Sequence, residues 1–233
     1  MTKKTKTKPM PQTLRPLVDH VLRFAYFATE PDHDCPIQAH LEAGAPDSRV
    51  LVITGGNASG KSFFAKVAEA LTRQTYETEF MRVGMERRTA GGFASAFMFG
   101  DESWQSTGQI SVNAVMGGLS TCRKREKNHV LCLDEPDIGL SEEYQAAMGE
   151  TLARFAEDLP EKTRGLIVVT HSRHLLRPLL RLQPIHLRVG EPMTLEEYVN
   201  RPMTPRPVED LETLGERAVE IFRVINDLMS GRG

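Results

Sequence analysis

The sequence predicts an α/β fold, a mostly parallel central sheet flanked by helices, and three observations carry that expectation. Short β-branched and apolar runs at residues 50–54, 129–133 and 165–169 read as buried strands. Segments of helical periodicity alternate with them, the order of a parallel sheet joined by helical crossovers. A glycine-rich stretch, GGNASGKS at residues 55–62, stands between the first run and a helical segment, where the chain must turn tightly.

Taken in order, residues 1–12 are polar and lysine-rich with prolines and no apolar period, so a disordered basic tail is expected, a nucleic-acid arm being the sharper alternative. In residues 13–29, Leu14, Leu17, Val18, Val21, Leu22, Ala25 and Phe27 recur at helical spacing, with Pro16 where a first turn tolerates it. Residues 30–48 carry Pro31, Pro36, Gly44 and Pro46 and read as loop, with a short element around 37–41. A strand at 50–54 and a helix at 62–71 follow. Beyond the strand runs at 129–133 and 165–169, residues 172–182 read as a helix with a solvated stripe of Arg173, Arg177 and Arg181. Residues 185–189 read as a strand, and a C-terminal amphipathic helix is expected over about 207–229. The 233 residues leave room for one large domain, 13–233, and little for a second.

Composition narrows the function classes. With 29 Lys and Arg against 31 Asp and Glu, the net charge of -2 argues against holding nucleic acid by bulk charge, leaving only a local patch. Cys35, Cys122 and Cys132 lack zinc or disulfide spacing and read as reduced core thiols. No apolar run approaches the ~20 residues that span a bilayer, and no secretory stretch stands at the N-terminus, so a cytoplasmic location is expected.

Residues 55–62 fit the P-loop pattern G-x-x-x-x-G-K-[ST] at every fixed position, with a strand before and a helix after. In such a loop, backbone N–H groups surround phosphate oxygens, and the helix N-terminus adds partial positive charge. Gly55, Gly56, Asn57, Ala58, Ser59, Gly60, Lys61, Ser62 and Phe63 are the candidate nucleotide-binding residues. Lys61 is expected to reach the β- and γ-phosphates, and the Ser62 hydroxyl to ligate Mg²⁺. Tyr26 and Phe27 lie upstream at a distance suited to adenine stacking, but their helical context favours core packing.

A carboxylate at a neighbouring strand end is the second requirement. Asp134 closes the apolar run at 129–133 and is the candidate second Mg²⁺ ligand; Glu135, pointing differently by strand alternation, is the candidate base for the attacking water. His171 closes the third run, and in parallel sheets such strand ends converge on the ligand, so it is the third catalytic candidate beside Glu135 and Lys61. His174 reads as helix surface.

Together these segments resemble the ATP-binding cassette (ABC) ATPases and their soluble relatives in DNA repair and chromosome maintenance. LDEPDIGLS is similar to that family's joined Walker B and following loop, VVTHS to its switch histidine, and QSTGQ at 105–109 to its signature. The resemblance implies that Ser106, Gly108 and Gln109, at the start of a helix over 110–119, contact ATP bound by an opposite subunit. A helix cap is the plainer reading of the same turn. Transporter ATPases place a helical subdomain, with a Mg²⁺-sensing glutamine, between P-loop and signature. Here that interval is short, and Phe97–Glu102 offers no glutamine, so a reduced subdomain is expected. Ser141 replaces the transporters' usual aspartate, and the segment is more similar to the soluble SMC-type, OLD-type and phage-defence branch.

The resemblance implies an ATP- and Mg²⁺-dependent ATPase that switches as a head-to-tail homodimer, or with a heteromeric ATPase partner, on a soluble effector protein or DNA. A membrane subunit as partner is disfavoured by the short interval. A non-hydrolysing ATP-dependent interaction protein is disfavoured by the intact Asp134–Glu135 pair and His171.

Overall fold

Successive side chains of a strand point to opposite sheet faces, and in this chain both sets are apolar. Leu51 and Ile53 pack on one face of the central strand, Val50 and Val52 on the other. A strand apolar on both sides needs a cover on each, and the computed structural model shows that arrangement. It describes residues 8–29, 35, 37–84, 106–202, 204, 205, 207 and 213–229.

The elements are α1 (Arg15–Val21), β1 (Phe27–Ala28), β2 (Ile37–Glu42), β3 (Val50–Gly55), α2 (Lys61–Thr75), β4 (Glu79–Gly84), α3 (Thr107–Lys124), β5 (His129–Asp134), α4 (Glu142–Glu157), β6 (Thr163–Val169), α5 (Arg173–Leu176), a 3₁₀ turn (Arg177–Leu182), β7 (Ile185–Val189), α6 (Leu195–Asn200) and α7 (Leu214–Met229). The sheet order is β1-β2-β7-β3-β6-β5-β4. All neighbours are parallel except β2 with β7.

On one face α1 and α2 bury Leu17, Val21, Phe64 and Ala68 against Leu51, Ile53, Val130 and Ile167. On the other, Val115 and Leu119 of α3, Leu152 of α4 and Leu175 of α5 cover Val52, Leu131 and Val168. The helix that follows β3 therefore lies on one face and the helix that follows β6 on the other. β3 and β6 are neighbours, so their C-terminal ends flank a topological switch point, where open α/β sheets bind ligands.

Several expectations change. The helix expected over 13–29 stops at Val21, and Phe27 begins β1. The tail expectation does not hold for residues 8–12: Lys8 bonds the backbone of Thr75 and Glu77, and Met10 is buried. Residues 1–7 lie outside the described set. The element near 37–41 is the strand β2. Residues 172–182 are a short α-helix and then a 3₁₀ turn that begins at Arg177, with Pro178 in its first positions; proline there fits a helix start and removes an N–H donor. The arginine stripe is not merely solvated. Arg173 donates to Arg201 O, Arg177 to Asn200 Oδ1, and Arg181 pairs with Glu150 and Glu157. The C-terminal helix starts at Leu214, and residues 208–212 lie outside the described set, as does Phe97–Glu102. Cys122 and Cys132 are buried thiols, whereas Cys35 is partly exposed. Among the described residues, no helix is long and apolar enough to cross a membrane.

Candidate functional site

The sheet delivers three strand ends to one place. β3 leads into the turn at 56–60, and Gly60 enters α2 at φ +99°, where a Cβ would also lie 2.7 Å from Ile37 Cδ1. Glycine is needed there on both counts. Among the described residues no side chain caps the α2 N-terminus, so its first N–H groups and partial positive charge are left to another acceptor. Beside them is a cavity of about 340 Å³ lined by residues 57–63 with Glu135 and His171. Ser59 Oγ is buried and finds no hydrogen-bond partner among the described residues, a donor suited to an anion's oxygen.

Lys61 is 5% exposed; its ammonium donates to Gly56 O at 2.8 Å and to His171 Nε2 at 2.9 Å. Burial pushes its pKa down to about 8, against the pull of the Glu135 and Asp134 carboxylates. Ser62 Oγ donates to Asp134 Oδ1 at 3.3 Å, and Arg82 Nη2 on the neighbouring strand bonds Asp134 Oδ2.

Glu135 follows Asp134 with φ +52°, a left-handed conformation that costs a non-glycine residue about 1 kcal/mol or more. Its N–H donates to Val169 O at 2.8 Å. The carboxylate stands 3.3 Å from His171 Nε2. The divergence of the two acids thus coincides with a backbone reversal at Glu135, beyond the simple alternation expected. The hydrogen bond with His171 lowers the Glu135 pKa, burial opposes this, and the charges of His171 and Lys61 add to the lowering. The group is a carboxylate at neutral pH. One Nε2 cannot both accept from Lys61 and donate to Glu135. The Nε2 proton that lowers the Glu135 pKa and the Nε2 lone pair that Lys61 uses therefore belong to different states of the ring.

The backbone behind these groups is tied down. Tyr198 Oη donates to His171 O at 2.9 Å. Thr170 Oγ1 donates to Asp137 Oδ1 at 2.5 Å, Ser172 Oγ to Gln145 Oε1 at 2.7 Å, and Gln145 Nε2 to Leu140 O at 2.9 Å. The loop after Glu135 is thereby fastened to the end of β6. Burial raises the Asp137 pKa, and the Thr170 hydroxyl opposes it.

Ser106, Gly108 and Gln109 are elsewhere. Ser106 caps α3 in a reciprocal box with Gln109, the plainer of the two readings. All three line a second cavity, about 940 Å³, with Gly139, Leu140 and Tyr144. A Cβ on Gly108 would lie 2.5 Å from Gly139 O, and Ser111 Oγ donates to Ile138 O, so α3 rests directly on the loop after Glu135. Tyr26 packs edge-on against Phe63, and Phe27 is buried in the core; core packing holds, although neither residue lies in a helix.

Sequence reasoning missed Arg82, Asp137, Gln145 and Tyr198. Arg82 left a signal: one cation inside the apolar strand EFMRVG.

Ser62 Oγ and Asp134 Oδ1 are hard oxygen donors of the kind Mg²⁺ takes when phosphates and water complete its shell. Among the described residues no cluster of three His, Cys, Asp or Glu side chains is placed to hold a metal alone. Chemically, the arrangement offers a buried cation and an uncapped helix end for an anion, and a carboxylate beside an imidazole for a water. No protein-family model matches this sequence, and no curated protein matches it.

Proposed function

We propose that this chain is a P-loop ATPase of the soluble ABC type, binding ATP through residues 55–63 and hydrolysing it. The observation that carries the reading is the convergence of Lys61, Ser62, Glu135 and His171, from three adjacent strand ends, on one cavity, with Asp134 accepting from the Ser62 hydroxyl. Lys61 and the α2 N-terminus hold the β- and γ-phosphates. Ser62 and Asp134 are the protein donors for Mg²⁺, which when bound would neutralise phosphate charge.

A γ-phosphate would compete with His171 for the Lys61 ammonium. Once released, His171 Nε2 is free to carry a proton toward Glu135 or a water, so the Lys61–His171 contact links phosphate binding to the state of the base. Glu135, ionised and 3.3 Å from the imidazole, accepts a proton of the attacking water. Its left-handed backbone aims the carboxylate at His171 instead of Ser62.

Ser106, Gly108 and Gln109 line a cavity apart from residues 57–63, so their part in nucleotide binding requires a second subunit, a head-to-tail homodimer or a heteromeric ATPase partner. The short interval before Ser106 favours a reduced helical subdomain and a soluble effector protein or DNA, in the cytoplasm, as the target. Glu135→Gln tests the assignment: it should bind ATP as wild type does while turnover falls about 10²-fold or more. Turnover at the wild-type rate would remove Glu135 from catalysis.

A further inference from the structure

Arg82 is a charged group at this site that no catalytic role yet uses. β4 pairs in register with β5, Arg82 opposite Cys132 and Gly84 opposite Asp134. Arg82 and Gly84, two residues apart, therefore share the sheet face of Asp134. At Gly84 a side chain would press on Asp134, its Cβ 3.0 Å from Asp134 Cβ. Arg82 instead runs along that face to bond Oδ2. The two side chains are 4% and 8% exposed, so solvent screens the pair weakly.

The two carboxylate oxygens have different partners: Oδ2 accepts from Arg82, Oδ1 from Ser62. We propose that Arg82 is a positioning residue that fixes Asp134 by Oδ2, leaves Oδ1 toward Ser62, and as a fixed cation keeps a lone divalent metal ion from settling on that pair. This rests on the reading of residues 55–62 as an ATP site. A dication arriving alone meets a carboxylate already neutralised by a guanidinium, with Lys61 adding a second positive charge nearby. A dication arriving with a triphosphate brings the compensating negative charge. Metal entry is thereby tied to nucleotide entry.

A purely structural ion pair makes a different prediction. Breaking it would lower stability, since a buried carboxylate loses its partner, and leave metal affinity unchanged or weakened.

The test measures Mn²⁺ binding by electron paramagnetic resonance without nucleotide, with ATP affinity measured separately in EDTA. Arg82→Gln and Arg82→Met, two neutral replacements of different polarity, guard against one failing to fold. At least one should bind Mn²⁺ alone about tenfold or more tightly than wild type. Arg82→Lys, which keeps the charge, should stay close to wild type, and adding Asp134→Asn should abolish the gain. Unchanged or weaker Mn²⁺ binding in folded neutral variants overturns the proposal. An equal gain in Arg82→Lys does so too. Wild-type protein that binds no ATP in EDTA would instead overturn the ATP-site reading, so the two failures are separable.

Discussion

Lys61 Nζ lies 2.9 Å from His171 Nε2, joining the first residue of α2 to the residue that follows β6 and Thr170. A 5% exposed ammonium is costly to keep, and among the described residues its hydrogen-bond partners are a backbone oxygen and an imidazole.

That cost gives a stability prediction. The folded pKa of Lys61 is lowered from 10.5 to about 8, so between these values the unfolded chain binds more protons and stability rises with pH. Below pH 8 the full penalty, about 3 kcal/mol, is present. Lys61→Met should therefore raise the melting temperature at pH 7 by several degrees while removing ATP binding. A lower melting temperature would show that the ammonium stabilises the fold.

A second titration lies across the sheet. His186 is fully buried, its Nε2 2.8 Å from Thr54 Oγ1 and its Nδ1 3.2 Å from Glu42 Oε2. Burial lowers its pKa to about 4, against the pull of Glu42. The unfolded chain then binds more protons between about pH 6.5 and 4, so this contribution is present above pH 6.5 and lost as pH falls toward 4. His186→Gln should flatten the loss of stability in that window, read by denaturant titration at several pH values. An unchanged slope would contradict the assignment.

The contact between α3 and the loop after Glu135 predicts a steric effect. Gly108→Ala places a Cβ 2.5 Å from a backbone oxygen, Gly139 O. Overpacking against backbone should cost about 1–3 kcal/mol, measurable by thermal or chemical unfolding. A cost below 0.5 kcal/mol would mean the two segments separate freely.

How much of this was legible follows from the range of the interactions. The strands around Val52, Leu131 and Val168 announced themselves because each is apolar on both faces, and residues 55–62 because a local turn demands its own residue types. The helix expected over 13–29 failed past Val21 because Phe27 and Ala28 satisfy their backbone against β2, a partner that periodicity cannot reveal. Arg82 on Asp134, Thr170 on Asp137 and Tyr198 on His171 are set by strand order and helix placement. Sequence spacing says nothing of those. The reversal at Glu135 was invisible because glutamate carries no signature of positive φ.

The central claim is that residues 55–62 bind the phosphates of ATP, and equilibrium ATP affinity of wild type against Lys61→Ala, with both folded by circular dichroism, tests it most directly. Wild-type protein should bind ATP, and the variant should bind it about 10²-fold or more weakly. Equal affinity in the two proteins, or no binding by wild type, would contradict the account.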